Sequence, residues 1–158
     1  MSIFSDWPHK WFGYWRPADG PDSWAPLMAT FVDPSFHYDD FQKVAEYLRS
    51  GRLVMIAGST DVCPISNCRG TLLSGASTDG EWLWPMSLEH DFLAHKVRLP
   101  DSMLKSIIRN NYDISASSAF SDRWNGDEIL DLDWPFVPSP IARRRRERDE
   151  ARGRAKLT

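Results

Sequence analysis

Four residues in this sequence combine the side chains and the spacing needed to hold a metal ion, in the order Cys63-x4-Cys68-x21-His90-x4-His95. Zinc takes four soft or borderline ligands in a tetrahedron, and two thiolates with two imidazoles supply that set. A cysteine pair followed by a histidine pair is the order of a Cys2His2 finger, in which a hairpin precedes a helix. Four protein ligands leave no position for a catalytic water, so the role expected of the zinc is structural. Two other readings use the same residues. The cysteines could be reduced core residues and the histidines ordinary hydrogen-bonded ones. Alternatively, Cys63 could serve as a nucleophile with His90 as its base. A lone nucleophile needs no second cysteine at a fixed spacing, which favours the metal. His9 and His37 show no partner pattern and are expected to be ordinary surface or core histidines.

The spacing sets a condition on the fold. Five residues separate His90 from His95, so on an ideal helix their directions differ by about 140°. They converge only if the last turn of the helix loosens, and His95 falls near the predicted end. The Cys63-Pro64-Ile65-Ser66-Asn67-Cys68 loop is also wider than a tight Cys-x2-Cys knuckle.

The elements around these residues are legible from periodicity. Residues 39–50 predict the clearest helix, with Phe41, Val44, Ala45 and Leu48 at i, i+3, i+4 and i+7. Asp39 is its expected N-cap and Gly51 its expected C-terminal stop. Arg52–Ala57 reads as a short buried strand. Thr71–Ala76 and Glu81–Trp84 predict a hairpin across Thr78-Asp79-Gly80, because Asp-Gly tolerates the positive φ of a tight turn. Trp82 and Trp84 then share one face, with Leu83 on the other. Ser87 is the expected cap of a helix running to about Lys96, with Leu88, Phe92 and Leu93 as its apolar face. Beyond Pro100, Asp101 is expected to cap a further helix to about Asn110, with Met103, Leu104, Ile107 and Ile108 facing the core. Tyr112 opens a strand-like stretch.

The ends of the chain are of a different kind. Residues 1–35 are rich in Trp and Pro without a period and read as an irregular aromatic wrap over the body. Residues 125–140, acidic then Pro-rich, suggest an extended arm. The last eighteen residues, 141–158, carry eight basic against three acidic side chains, a net +5, while the whole chain carries −3 and residues 1–140 therefore −8. The expected organisation is one α+β domain over 1–140, containing the finger-like unit 63–95, with a basic, flexible tail over 141–158.

Composition bounds the function classes. A 158-residue chain with 42% apolar residues is long enough for one core. Its longest apolar run, Leu53–Ala57, is far too short to span a bilayer, and its first residues lack a signal-peptide pattern, so a cytoplasmic protein without a membrane partner is expected. The sequence holds no Gly-rich phosphate loop, no His-Glu-x-x-His and no nucleophile elbow. The leading expectation is a non-enzymatic inhibitor or immunity-type protein that neutralises a basic toxin or enzyme. Asp127, Glu128, Asp131 and Asp133, with Trp124 and Trp134, would meet that partner. The alternative is nucleic-acid or ribonucleoprotein association through Arg143, Arg144, Arg145 and Arg146. An enzyme of unknown class is the third reading.

Residues 78–100 resemble a family of small uncharacterised bacterial proteins carrying a TDG-x-W-x-WP-x-x-L-x-H-x-x-x-x-H-x-VRLP signature after a cysteine pair and a YL-x-x-G helix end. The matching elements are Tyr47, Leu48 and Gly51, Cys63 with Cys68, Thr78-Asp79-Gly80, Trp84-Pro85, His90, His95 and Val97–Pro100. The likeness extends over roughly residues 44–108. The chain departs from the family pattern at Pro85-Met86-Ser87-Leu88, where WPEGL is usual, and in the wider spacing of its cysteines. The resemblance implies a shared fold and a common four-ligand site, and no activity.

Overall fold

The computed structural model describes residues 2–16, 25–65, 68 and 70–116, and these form an α+β fold. Three antiparallel strands, β1 (Arg52–Val62), β2 (Thr71–Thr78) and β3 (Leu83–Pro85), lie in that spatial order. The helices α1 (Phe41–Arg49), α2 (Leu88–His95) and α3 (Asp101–Arg109) share one core with Trp84 of β3, and short 3-10 turns lie at Met28–Phe31 and Ile114–Ala116. None of the described helices is long and apolar enough to cross a membrane.

The β2–β3 hairpin turns where expected. Asp79 Oδ1 accepts the N–H groups of Glu81 (2.9 Å) and Trp82 (2.6 Å), and Gly80 supplies φ +89°. The pairing starts at Thr78↔Leu83, so β3 begins two residues later than the sequence predicts. Strand alternation then divides the tryptophans from Leu83. Trp82 and Trp84 enter the main core with Tyr47, Leu48, Leu88 and Phe92, whereas Leu83 packs with Trp11 and Ala76 in a second cluster. The Trp-rich N-terminal segment supplies that second layer. Trp11 bridges to Leu83, and Phe12 N–H donates to the Leu83 carbonyl at 3.0 Å. Trp7, Phe12 and Phe31 meet edge to face at 5.1–5.5 Å between centroids, so these rings build the core, as expected of the wrap.

Several local expectations are corrected. β1 is neither short nor buried. It runs eleven residues along the sheet edge, and Leu53, Met55 and Ile56 are 46%, 49% and 62% exposed. A continuous apolar run does not by itself tell a buried strand from an edge strand, and the pairing with β2 is irregular between Leu53 and Met55 and between Ile56 and Thr60. Helix α1 starts one residue later than expected. Asp40, not Asp39, is its N-cap, and the Asp40 carboxylate pairs with Lys43 at 3.1 Å instead of capping. Gly51 takes the expected C′ position after the cap Ser50, but without a left-handed φ; a Cβ there would stand 2.5 Å from Trp84 Cζ2.

In α3 the buried stripe is Met103, Ser106, Ile107 and Asn110, with Ile108 half exposed. Pro100, rather than Asp101, is the cap; Asp101 pairs with Arg98 at 3.0 Å. The stripe shifts because Ser106 donates to Glu81 (2.9 Å) and Asn110 donates to the Tyr47 hydroxyl (2.9 Å), which hold polar positions against the body. After α3 the described part of the expected strand, residues 112–116, is not extended. Asn111 and Tyr112 both take positive φ and lead into the second 3-10 turn. The acidic and aromatic positions Trp124, Asp127, Glu128, Asp131, Asp133 and Trp134, the tail arginines Arg143–Arg146 and the boundary at 140 lie outside the described residues.

Candidate metal centre

The β1–β2 connection carries both cysteines. Cys63 follows the last residue of β1 and is buried, while Cys68 is half-buried and donates its N–H to the Ile65 carbonyl at 3.1 Å, closing a turn within the loop. The cysteines therefore sit at the closed end of one hairpin, and the histidines sit on the helix that follows the next strand. Helix α2 is anchored by Leu88 and Phe92 in the core and by the Arg49–Glu89 ion pair to α1.

The structure brings all four predicted residues together. Their ligand atoms lie within 4.8 Å of one another. Cys63 Sγ is 3.2 Å from His95 Nε2, and Cys68 Sγ is 3.3 Å from His90 Nε2. Sulfur and nitrogen bound to one tetrahedral zinc stand about 3.5 Å apart, from Zn–S of ~2.3 Å and Zn–N of ~2.0–2.1 Å. The observed separations are close to that value. They also revise the nucleophile–base reading, because the imidazole beside Cys63 belongs to His95, not to His90.

The problem of the five-residue histidine spacing is solved at the end of α2. Lys96 adopts a left-handed conformation (φ 56°), and its N–H bonds back five residues to the Asp91 carbonyl, instead of four. Val97 N–H reaches the same carbonyl at 3.3 Å. A five-residue step is a π-type turn, wider than the α-helical one, so the last turn of α2, which ends in His95, is loosened as the spacing requires. The two rings stand 5.1 Å apart between centroids.

Electrostatics fit the same donor set. Burial pushes the Cys63 thiol up to about 11, with the adjacent Cys68 adding to the effect. Burial, and then the nearby His90, lower His95 below its ordinary value and keep it neutral, the form a metal ligand needs. Two thiolates in this partly buried place need a compensating cation. A dication with two thiolates and two neutral imidazoles gives a site of zero net charge.

Three contributors have no motif in the sequence. Gly70 keeps the site open, since a Cβ there would lie 3.0 Å from His90 Cε1 and 3.6 Å from Cys68 Sγ. Its position two residues after Cys68 is the one available signal. Lys96 closes the wide turn through its N–H bond to the Asp91 carbonyl. Asp91, between the two histidines in sequence, is buried, and Trp15 Nε1 donates to its Oδ2 at 2.8 Å. Of the other histidines, His9 stacks on Trp11 at 4.7 Å and His37 lines a groove beside Phe36 and Tyr38.

Comparison of the chain with protein-family models, with curated proteins and with solved structures gives no match.

Proposed function

We propose that the protein is a non-enzymatic binding protein whose Cys63, Cys68, His90 and His95 hold a structural zinc ion. The observation that supports this reading is the convergence of four ligand atoms, from a hairpin end and a helix, to within 4.8 Å. Sulfur and imidazole in equal number suit zinc among the common divalent ions. Four protein ligands complete its shell and leave no open position for water activation. The ion would tie the end of the β1–β2 hairpin to α2.

The role proposed for the body is neutralisation of a basic protein partner, in the manner of an inhibitor or immunity protein. Its support is the −8 excess over residues 1–140. Trp11, Trp82 and Trp84 are buried in the core clusters. The aromatic anchors assigned to a partner are therefore Trp124 and Trp134, beside Asp127, Glu128, Asp131 and Asp133. A nucleic-acid role draws its support from the +5 tail alone. The acidic Glu89 of α2 does not suit groove binding.

Elemental analysis of the purified protein tests the metal, with about one zinc per chain expected. Cobalt substituted at the site should give the intense visible absorption of tetrahedral thiolate coordination. Folded, metal-free protein that fails to take up either ion would end the proposal. For the partner, co-expression with a basic toxin encoded beside the gene should restore growth. A complex that survives removal of residues 141–158 supports the protein partner, and nucleic-acid retention that depends on those residues supports the alternative.

A further inference from the structure

The four ligands are divided by type between two elements. Both sulfurs belong to the single connection 63–70, and both imidazoles belong to α2. Cys63 and Cys68 are separated by four residues, so a bond between them closes a ring of six residues inside that loop. No residue of α2 takes part in that bond. Their sulfurs already lie within 4.8 Å of each other. Exposure is unequal: Cys63 is 4% exposed, whereas Cys68 is half-buried and reachable from solvent. On either side of the loop, Val62 and Leu73 are 81% and 63% exposed. The metal would be its tether to α2.

We propose that the cluster is a peroxide-responsive zinc switch, in which oxidation joins Cys63 to Cys68, ejects the ion and frees the end of the β1–β2 hairpin from α2. The inference rests on the zinc reading given above. Cys68, the accessible sulfur, attacks one oxygen of hydrogen peroxide. An S–O bond forms, the O–O bond breaks and hydroxide leaves. The sulfur is oxidised by two electrons and the peroxide is reduced. Cys63 sulfur then attacks Cys68 sulfur, which forms the S–S bond, breaks the S–O bond and releases a second hydroxide. With two protons from solvent, two thiolates and one peroxide become one disulfide and two waters. Both sulfur ligands leave the metal together, and the two imidazoles that remain cannot complete a zinc shell. A dithiol reductant reverses the step by thiol–disulfide exchange.

Leu88 and Phe92 keep α2 seated in the core whatever the state of the loop. The switch therefore releases a local segment and not the whole fold.

The test uses the full-length protein, purified under reducing conditions, with hydrogen peroxide added in small excess. A chromogenic chelator reports zinc, thiol alkylation with mass spectrometry reports the cysteines, and hydrogen exchange reports the backbone. The expected result is release of about one zinc per chain together with loss of both thiols, a Cys63–Cys68 disulfide in the peptide map, and faster exchange over 62–71 with α2 still protected. Dithiothreitol and zinc should restore the starting state. A zinc-loaded protein whose thiols survive would overturn the switch and leave the structural metal standing. So would zinc loss without a disulfide, or irreversible oxidation of Cys68 alone. Protein that carries no zinc under reducing conditions would overturn both.

Discussion

The Trp15 indole N–H donates to Asp91 Oδ2 at 2.8 Å, tying the N-terminal aromatic segment to the helix that presents both histidines. Asp91 is 1% exposed, and its other oxygen, Oδ1, has no hydrogen-bond partner among the described residues. Burial pushes this carboxyl up to about 6, and the Trp15 bond opposes that rise. Trp15→Phe keeps an aromatic ring and removes the donor, so it leaves a buried carboxylate without its indole partner. Urea denaturation should show a loss of about 1–3 kcal/mol. In an Asp91→Asn background the same change should cost less, because a neutral amide is cheaper to leave unpaired. Equal costs in both backgrounds would show that the ring, and not the hydrogen bond, carries the contribution.

Gly51 and Gly58 offer a matched pair. A Cβ at Gly51 would meet Trp84 Cζ2 at 2.5 Å and Ser77 Cβ at 2.9 Å. Trp84 has no room to withdraw, being fully buried with its indole N–H bound to the Leu48 carbonyl at 3.0 Å. Gly51→Ala should therefore destabilise by about 1–3 kcal/mol through overpacking. Gly58 has no atom within 4 Å of its Cβ position, and Gly58→Ala should fall within about 0.5 kcal/mol of the parent. Thermal melts of the two variants decide this, and a neutral Gly51→Ala would mean that β2 and β3 yield there.

Much of this was legible in the sequence, and the parts that were not share a physical cause. The ligand order and the Asp79-Gly80 turn are local chemistry, and Val44, Ala45 and Leu48 form a local stripe; all appear where the sequence places them. Met103, Leu104 and Ile107 of α3 face the core as the sequence predicts, but Ser106 and Asn110 join them in place of Ile108, because they find polar partners on distant elements, Glu81 and Tyr47, and no window along one helix contains those partners. The exposure of Leu53, Met55 and Ile56 depends on which strand occupies the sheet edge, a property of topology. Gly51 follows the helix end as its sequence signals, but the requirement for glycine there comes from the approach of Trp84, a distant residue. The closeness of His90 and His95 goes with a loosened last turn of α2, marked by the Lys96 N–H bond to the Asp91 carbonyl, and no residue type in that turn signals it.

Zinc should make the four ligands act as one unit in stability measurements. With free zinc a thousandfold above Kd, binding to the folded state adds about 4 kcal/mol. Cys63→Ser and His95→Ala, which remove the two atoms 3.2 Å apart, should each forfeit most of that contribution. Combined, they should cost little more than either alone, since an ion that is already lost cannot be lost again. The wild-type protein in excess chelator should match the double variant. Additive losses that chelator leaves unchanged would indicate ordinary packing residues in place of ligands.

Glu81 predicts how stability responds to acid. Burial alone would raise its carboxyl, but Lys10 (2.7 Å), the Ser106 hydroxyl (2.9 Å) and Arg109 outweigh that effect and hold it below the ordinary glutamate value. A carboxylate depressed in the folded state contributes stability that is fully present above its unfolded value and is lost as pH falls through its folded value. The urea midpoint should therefore decline on the acid side of the ordinary carboxylate range. Asp33 and Asp113, also depressed through their bonds with Ser35 and Ser115, contribute to the same limb. Glu81→Gln should flatten that limb and lower stability near neutrality by about 0.2–1 kcal/mol, as expected of partly exposed pairs. Added salt should shrink the difference between the two proteins. Parallel acid limbs for parent and variant would show that Glu81 bonds equally well in its protonated form.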